Sequence, residues 1–421
     1  MVVERENLLD EKGLPKKPLR LSKLPFLMRK KAINFMSSGE KIRLAVASED
    51  MENYVNESRL DKYIHWTLKI CDSSSSIIIY EGKVEVAVTD NFPAGDMEGD
   101  KIPKREIAKW CDDKKEPTEN VKIILKKLQN LLTCSVKPQE ICLDLNVAEQ
   151  RIFEILTDPV YKNANELDFR NFRLETRTID KILEFCEFKS LVSFTNLAFP
   201  NDYYHEKALK CKNIYYGNAI WMRVTQLLTL RDRATVYLGD TFLDMEDIAI
   251  LVNFWVTVDY DMFRNLDIHM RESTGADFGC YNVGALEVVG FEEVAAFFSR
   301  SVGEKFYLIM SKPKNPAKKY QMLVVQIANY VVRMKAAPIE IFAQHIHNEL
   351  IDILNLVHLK NEKEISLGNF RFKNELEDDV AEFKRALRAE IQELKQRLMN
   401  LSVQVDEEQD RLVRDPPPAV E

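Results

Sequence analysis

Six short apolar segments recur through the middle of the chain, anchored at Leu143, Leu167, Val192, Ile214, Val236 and Leu266, with steps of 24, 25, 22, 22 and 30 residues between them. Ile141, Leu143 and Leu145 alternate with Cys142 and Asp144, Val236 and Leu238 flank Tyr237, and Leu266, Ile268 and Met270 alternate with Asp267 and His269. Alternation at period two marks strands with one face turned to a core. Between them lie helical spacings: Ile179, Ile182, Leu183 and Cys186; Trp221, Val224, Leu227 and Leu228; Ile248, Leu251, Val252 and Trp255. A strand-helix unit of this length cannot bury its apolar face alone, so its repetition predicts stacked parallel strands backed by helices. The period is that of leucine-rich repeats. Strict leucines and an asparagine ladder are missing, so the repeat is degenerate. A curved sheet is expected rather than a doubly wound one, with both faces covered.

Three short helices are predicted near the N-terminus, from Leu19 to Val55. Pro25 suits a first helical turn, where its missing N–H costs nothing. Met28, Ala32, Ile33, Phe35 and Met36 then fall on one broad apolar face, with Lys30, Lys31 and Asn34 on the other side. Ser37 and Glu40 have capping-box spacing before Ile42, Ala45 and Val46, and Ser48 with Glu49 and Asp50 starts a third helix before Met51, Tyr54 and Val55.

Leu24-Pro25, Leu27, Ile33, Met36, Glu40, Ile42, Leu44 and Ser48 resemble the spacing of an F-box, in the variant expanded in nematodes. Glu49 stands where that pattern usually carries a basic residue, and Arg29 to Lys31 interrupt its first helix. Downstream, Tyr215-Tyr216, Trp221, Leu227 to Leu230, Asp244 with Asp247, Trp255, Leu266-Asp267-Ile268, Phe291-Glu292-Glu293 and Phe306-Tyr307 resemble, in order, a type-2 F-box-associated domain. The resemblance implies a three-helix module docking a Skp-type adaptor of a cullin-RING ubiquitin ligase, while the rest of the chain holds a target. The adaptor-binding residues it implies are Leu24, Pro25, Leu27, Ile33, Met36, Ile42 and Leu44. The expected organisation is α/β: an F-box at 19–60, a hairpin and charged linker at 61–135, a leucine-rich-repeat-like β/α domain at 136–312, and a helical tail at 320–415.

Composition narrows the classes. In 421 residues, 59 Lys+Arg against 67 Asp+Glu give a formal charge of −8, the opposite of a nucleic-acid protein's usual balance. No apolar run reaches the length needed to cross a bilayer and Met1 to Lys12 lacks a signal-peptide core, so a cytoplasmic or nuclear protein without membrane or nucleic-acid partners is expected. Seven cysteines, at 71, 111, 134, 142, 186, 211 and 280, contain no CxxC pair and read as reduced, mostly buried thiols.

Ile77 to Tyr80 and Val84 to Val88, joined by Glu81-Gly82-Lys83, predict a hairpin, and Asp90 to Glu119 reads as a charged loop. Past Pro313, Tyr320 to Met334 either closes the sheet or begins the tail, and Ile339 to Val357 reads as a helix. Leu376, Val380, Phe383, Leu387, Ile391, Leu394, Leu398, Leu401 and Val405 then form a heptad stripe with one stutter, within a segment predicted to be helical over 372–412. Its seam residues, Leu376, Phe383, Leu387, Leu394, Leu398 and Leu401, suit a coiled coil and a homodimer. The alternative is one amphipathic helix folded back on the body.

Candidate chemistry has ordinary explanations. Asp240, Asp244, Glu246 and Asp247 form a carboxylate cluster, but Thr241 with Asp244 marks a helix start, where acids oppose the dipole. His345 and His347, two apart on a predicted helix, point to different faces. There is no HExxH, GxGxxG or GxSxG, and Gly303-Glu304-Lys305 lacks the upstream glycine of a phosphate loop. A non-catalytic protein with no cofactor and no metal is expected. Two functions remain: the substrate-recognition subunit of a Skp-cullin-F-box ligase, with an adaptor, a cullin and an unidentified protein target as partners, or an interaction scaffold dimerising through its tail.

Overall fold

The computed structural model describes residues 21–58, 65–71, 75–80, 83–89, 99–132, 140–144, 149–162, 164–170, 174–186, 189–271, 285–289, 305–311, 318–328, 330–341, 348–369, 378–406 and 411–414. Leu19, Leu145, Phe291 to Glu293, Gly303, Glu304, His345, His347 and Leu376 lie outside them. The chain is mixed α/β, with an N-terminal helical region followed by extensive sheet. It divides into two compact units, one formed by Met1–Val147 with Arg151–Ala164, the other by Ala148–Gln150 with Asn165–Glu421.

The first unit opens with α1 (Phe26–Asn34), α2 (Ser38–Ala47) and α3 (Glu49–Ser58). The predicted caps form: Ser37 Oγ accepts from the Glu40 amide at 3.2 Å while Glu40 Oε2 accepts from the Ser37 amide at 2.7 Å, and Ser48 Oγ accepts from the Met51 amide. Strands β1 (Trp66–Cys71), β2 (Ser75–Ile79), β3 (Val84–Ala87), β4 (Asp100–Ile102) and β5 (Glu140–Asp144) lie in the order β5-β1-β2-β3-β4. The predicted hairpin is β2 against β3, with Ile77 opposite Val86. The segment read as loop and linker is instead largely structured: it holds β4, a 3-10 turn at Lys104–Trp110 and α4 (Pro117–Leu132). Val121, Ile124, Leu125, Leu128, Leu131 and Leu132 are buried along α4, which packs on α2, α3 and β2. Their three-and-four spacing drives that burial despite the charges around them. In α5 (Glu149–Thr157), Ile152, Ile155 and Leu156 are buried.

The second unit carries β6 (Glu166–Arg170), α6 (Thr176–Cys186), β7 (Leu191–Thr195), β8 (Asn213–Tyr216), α7 (Val224–Leu227), β9 (Arg233–Thr241), α8 (Met245–Thr257) and β10 (Phe263–Met270). These five strands are all parallel, neighbour by neighbour. Their anchors stand opposite one another in one row, Leu167, Val192, Ile214, Val236 and Leu266. The sixth, Leu143, lies on β5, which pairs in parallel with β1 in the first unit. The antiparallel strands β11 (Leu286–Val289), β12 (Lys305–Met310), β13 (Met322–Ala328) and β14 (Val331–Ala337) extend the sheet beyond β10. Tyr320 to Met334 thus builds sheet, not tail.

Because β6 to β10 follow one another without reversal of order, right-handed crossovers place their connections on one face. Phe169, Phe194 and Tyr216 stack on that face at 5.1 and 5.4 Å; Phe199 and Trp221 from the connections pack against them, and Tyr203 packs on those two. The opposite face over these strands carries half-buried or exposed Tyr215, Thr235, Tyr237, Asn265, Asp267 and His269. The expectation that both faces are covered is therefore corrected over β8 to β10, where one-sided crossovers leave this face partly open; on β6 and β7 Asp168 and Ser193 of the same face are buried.

The tail differs from its prediction. α9 (Asn348–Asn369) and α10 (Asp378–Asn400) pack on each other, with Lys363 paired to Glu390 at 2.5 Å. Leu394 and Leu398 share a buried cluster with Leu286, Val288, Phe306, Leu308 and Leu350. Helix α10 stops at Asn400, Ser402 adopts a left-handed φ of 60°, and the chain turns into β15 (Val403–Asp406) and β16 (Arg411–Arg414), the latter parallel to β11. The helix predicted over 372–412 is thus interrupted, because Val403 and Val405 alternate with Gln404 and Asp406 as a strand requires. The amphipathic helix folded on its own body is the arrangement adopted.

Candidate functional site

Helix α1 begins at Phe26, and Pro25, expected in the first turn, stands instead at the N-cap with φ −52° and ψ 147°, since its ring fixes only φ. Its apolar residues divide between two environments. Ile33 is fully buried with Ile42, Ala45 and Val55 inside the three-helix module, whereas Phe26, Leu27, Met28 and Phe35 are 49%, 75%, 63% and 82% exposed. Such concentrated apolar exposure on one short segment is the signature of a binding surface. Arg29 ties the module together, its guanidinium 3.7 Å from the Tyr54 ring centre and 3.8 Å from Glu57 on α3. The basic interruption of the first helix is thus a structural joint.

The seven residues assigned to adaptor binding separate accordingly. Pro25 and Leu27 are exposed, and Leu24, Met36 and Leu44 are half-buried. Ile33 and Ile42 are corrected: both are 0% exposed and have no area left to offer a partner. Phe26, Met28 and Phe35 are the further apolar residues that this segment exposes. A helix three turns long can bury only part of a broad apolar face, and that partition was the missing signal.

Below the module, Arg43 on α2 forks onto Asp100 at 2.6 and 2.8 Å and reaches Glu106 at 2.6 Å. The Asp100 hydrogen bonds are the largest influence on its guanidinium, raising a pKa already high, against the opposing effect of burial. Lys109 Nζ donates to the Ala47 carbonyl at the end of α2, and Lys127 pairs with Glu52 of α3 at 2.6 Å. These bonds hold the three helices on β4, the 3-10 turn and α4.

The second candidate surface is the open face of the parallel strands. Register aligns Asp168, Ser193, Tyr215, Tyr237 and Asp267 on the parallel strands with Arg333 and Gln326 on β14 and β13; Tyr215, Tyr237, Asp267 and Arg333 are half-buried, while Asp168, Ser193 and Gln326 are buried. Tyr215 and Tyr237 stack at 4.2 Å, and the His269 ring lies 5.0 Å from Tyr237. Partial burial, with the Tyr215 hydroxyl beside it, pushes the Tyr237 phenol up to about 12. Asp168 accepts from Arg170 at 2.6 Å and Arg333 donates to Gln326 at 3.2 Å.

The carboxylate cluster caps a helix, as expected, but three residues later than the Thr241 spacing suggests: Asp244 Oδ1 accepts from the Asp247 amide at 2.9 Å, and Thr241 donates to the His269 carbonyl. Burial raises the Asp247 carboxyl. Cys142, Cys186 and Cys211 are buried free thiols and Cys111 is half-buried. Among the described residues no group of three His, Cys, Asp or Glu side chains is arranged to hold a metal, and no helix is long and apolar enough to cross a membrane.

Of the seam residues, Leu387, Leu394 and Leu398 are buried within the chain, Leu401 is partly buried and Phe383 is 50% exposed. A cleft of about 410 Å³ opens beside α8 and α9. No protein-family model, no curated protein and no solved structure matches the chain.

Proposed function

We propose that this chain is the substrate-recognition subunit of a Skp-cullin-F-box ubiquitin ligase, its N-terminal helices forming an F-box that docks a Skp-type adaptor. The observation that carries the reading is the apolar surface of Phe26, Leu27, Met28 and Phe35, exposed beside Leu24 and Pro25 where the F-box pattern puts its adaptor contacts. Fully burying such a side chain contributes up to about 1.5–3 kcal/mol, and a few anchors of this kind carry most of the energy of an interface. The parallel strands act as a degenerate leucine-rich-repeat-like, F-box-associated domain whose open polar face meets a protein target. In this role the chain makes and breaks no bond; it brings a target lysine near an E2 thioester. A homodimer through the tail finds less support, since Phe383 is the one strongly exposed member of the seam among its described residues.

The test is binding of the full chain to purified Skp-type adaptor. Leu27→Asp with Phe35→Asp is expected to abolish capture while the far-ultraviolet circular dichroism stays unchanged, because both side chains already face solvent. Undiminished capture by the folded double variant would overturn the assignment.

A further inference from the structure

The cleft beside α8 and α9 has a polarity that points to its occupant. Its apolar wall is Val256, Met310, Leu354 and Ile365, with Met310 and Leu354 buried and Ile365 65% exposed. Its rim is acidic: Glu362 and Glu364 line it, with the amides of Asn253 and Asn361 as further acceptors. Neither lysine nor arginine is among its described lining residues. Glu364 is matched from behind by Lys360, at 2.8 Å and itself 2% exposed. Glu362 is 59% exposed, and its neighbour at 3.3 Å is the His358 imidazole, which carries charge only when protonated. Among the ion pairs of the described residues none joins Glu362 to a lysine or arginine, so its exposed carboxylate faces the mouth of the cleft beside that imidazole.

We propose that this cleft receives a lysine or arginine side chain presented on an apolar segment of a partner protein. The aliphatic stem of such a side chain lies along Val256, Met310, Leu354 and Ile365 while its charged head reaches Glu362, the division of labour that long basic side chains adopt at mixed surfaces. The volume of about 410 Å³ accommodates that side chain together with an apolar neighbour. An acidic segment meets like charge at the rim and is rejected. The inference does not depend on adaptor docking, which uses residues of the other unit.

The experiment follows the methyl resonance of Met310 in methionine-methyl-labelled full chain at pH 8. The probes are three peptides: acetyl-Leu-Lys-Leu-amide, its norleucine analogue of nearly the same shape without the charge, and its glutamate analogue. The lysine peptide is expected to shift the Met310 signal saturably, about tenfold more tightly than the norleucine peptide, a difference of about 1.4 kcal/mol. The glutamate peptide is expected to leave the signal in place. Raised salt and Glu362→Gln should each bring the lysine peptide down to the norleucine level. The proposal is overturned if norleucine binds as tightly as lysine, if Glu362→Gln changes nothing, or if no peptide moves Met310. Should Glu362→Gln fold poorly, the three peptides on the unaltered chain decide alone.

Discussion

Leu398 offers the sharpest test of how the tail is held. It is 0% exposed and sits among Leu286, Val288, Phe306, Leu308 and Leu350, so the helix contributes to the core of its own unit. Leu398→Ala removes buried apolar volume from a closed cluster, which costs about 2–5 kcal/mol depending on how far the site relaxes. Phe383 lies on the same stripe four turns earlier but is half exposed, so Phe383→Ala forfeits only a part of the 3–5 kcal/mol of a fully buried phenylalanine, about 1 kcal/mol. At about 2–4 °C per kcal/mol for a unit of this size, the Leu398 variant melts roughly 4–20 °C below the parent and the Phe383 variant within about 4 °C of it. Sedimentation velocity run beside the melts completes the assay, with both variants and the parent expected at the same mass. Had the stripe been a coiled-coil seam, the two alanines would cost similar amounts and the parent mass would fall on dilution. Either result refutes the packing argument.

Four further outcomes follow from particular contacts. Lys318 Nζ donates to Trp255 O, Val258 O and Ser311 Oγ, and burial lowers its pKa from 10.5 to about 8. Below pH 8 folded and unfolded chains both hold the proton and the penalty is complete; as pH rises through 8 the folded chain releases it first, so stability climbs toward pH 9.5 by about 1–3 kcal/mol, and Lys318→Met flattens that slope in urea titrations. A Cβ at Gly39 would overlap the Asp100 carboxylate held by Arg43, so Gly39→Ala lowers the melting temperature, and Asp100→Ala in the same chain recovers part of the loss in a double-mutant cycle. Gly239→Ala drives a methyl into the Gly217 carbonyl, which no rotamer relieves, and should cost about 1–3 kcal/mol in chemical denaturation; Gly217→Ala, with only tight van der Waals contacts, costs less. Leu394→Asp puts a carboxylate into the buried cluster and should unfold the second unit rather than yield a folded monomer, as read by loss of cooperative melting.

What could be read in the chain alone was whatever depended on local pattern. The Ser37–Glu40 capping box and the Ser48 cap need only their own few residues, and both form. The strand anchors were recoverable because a parallel stack demands the same apolar position from every repeat, and the register places Leu167 to Leu266 in one row. The failures share one cause: a pattern states that a side chain is apolar, not which surface covers it. Ile33, Ile42, Leu27 and Phe35 are equivalent by type, yet two are sealed and two face solvent, because three short helices enclose a volume too small for all of them. The heptad stripe is the same case, since a narrow apolar stripe is satisfied equally by a second helix, a sheet or another copy of the chain. Here β11, β12 and α9, distant in sequence, supply the cover. Helix α4 was obscured by charge, because Lys122, Lys126 and Lys127 share its span with the buried Ile124, Leu125 and Leu128. Polar surroundings suggest a linker, whereas the three-and-four spacing of those three residues is that of a helix with one buried face. The openness of the sheet likewise depends on order: crossovers of one hand cover both faces only if the strand order reverses, and from β6 to β10 it never does. The polar residues left on that face, Tyr215, Tyr237, Asp267 and His269, are therefore where the chain has side chains to spend on something other than its own core.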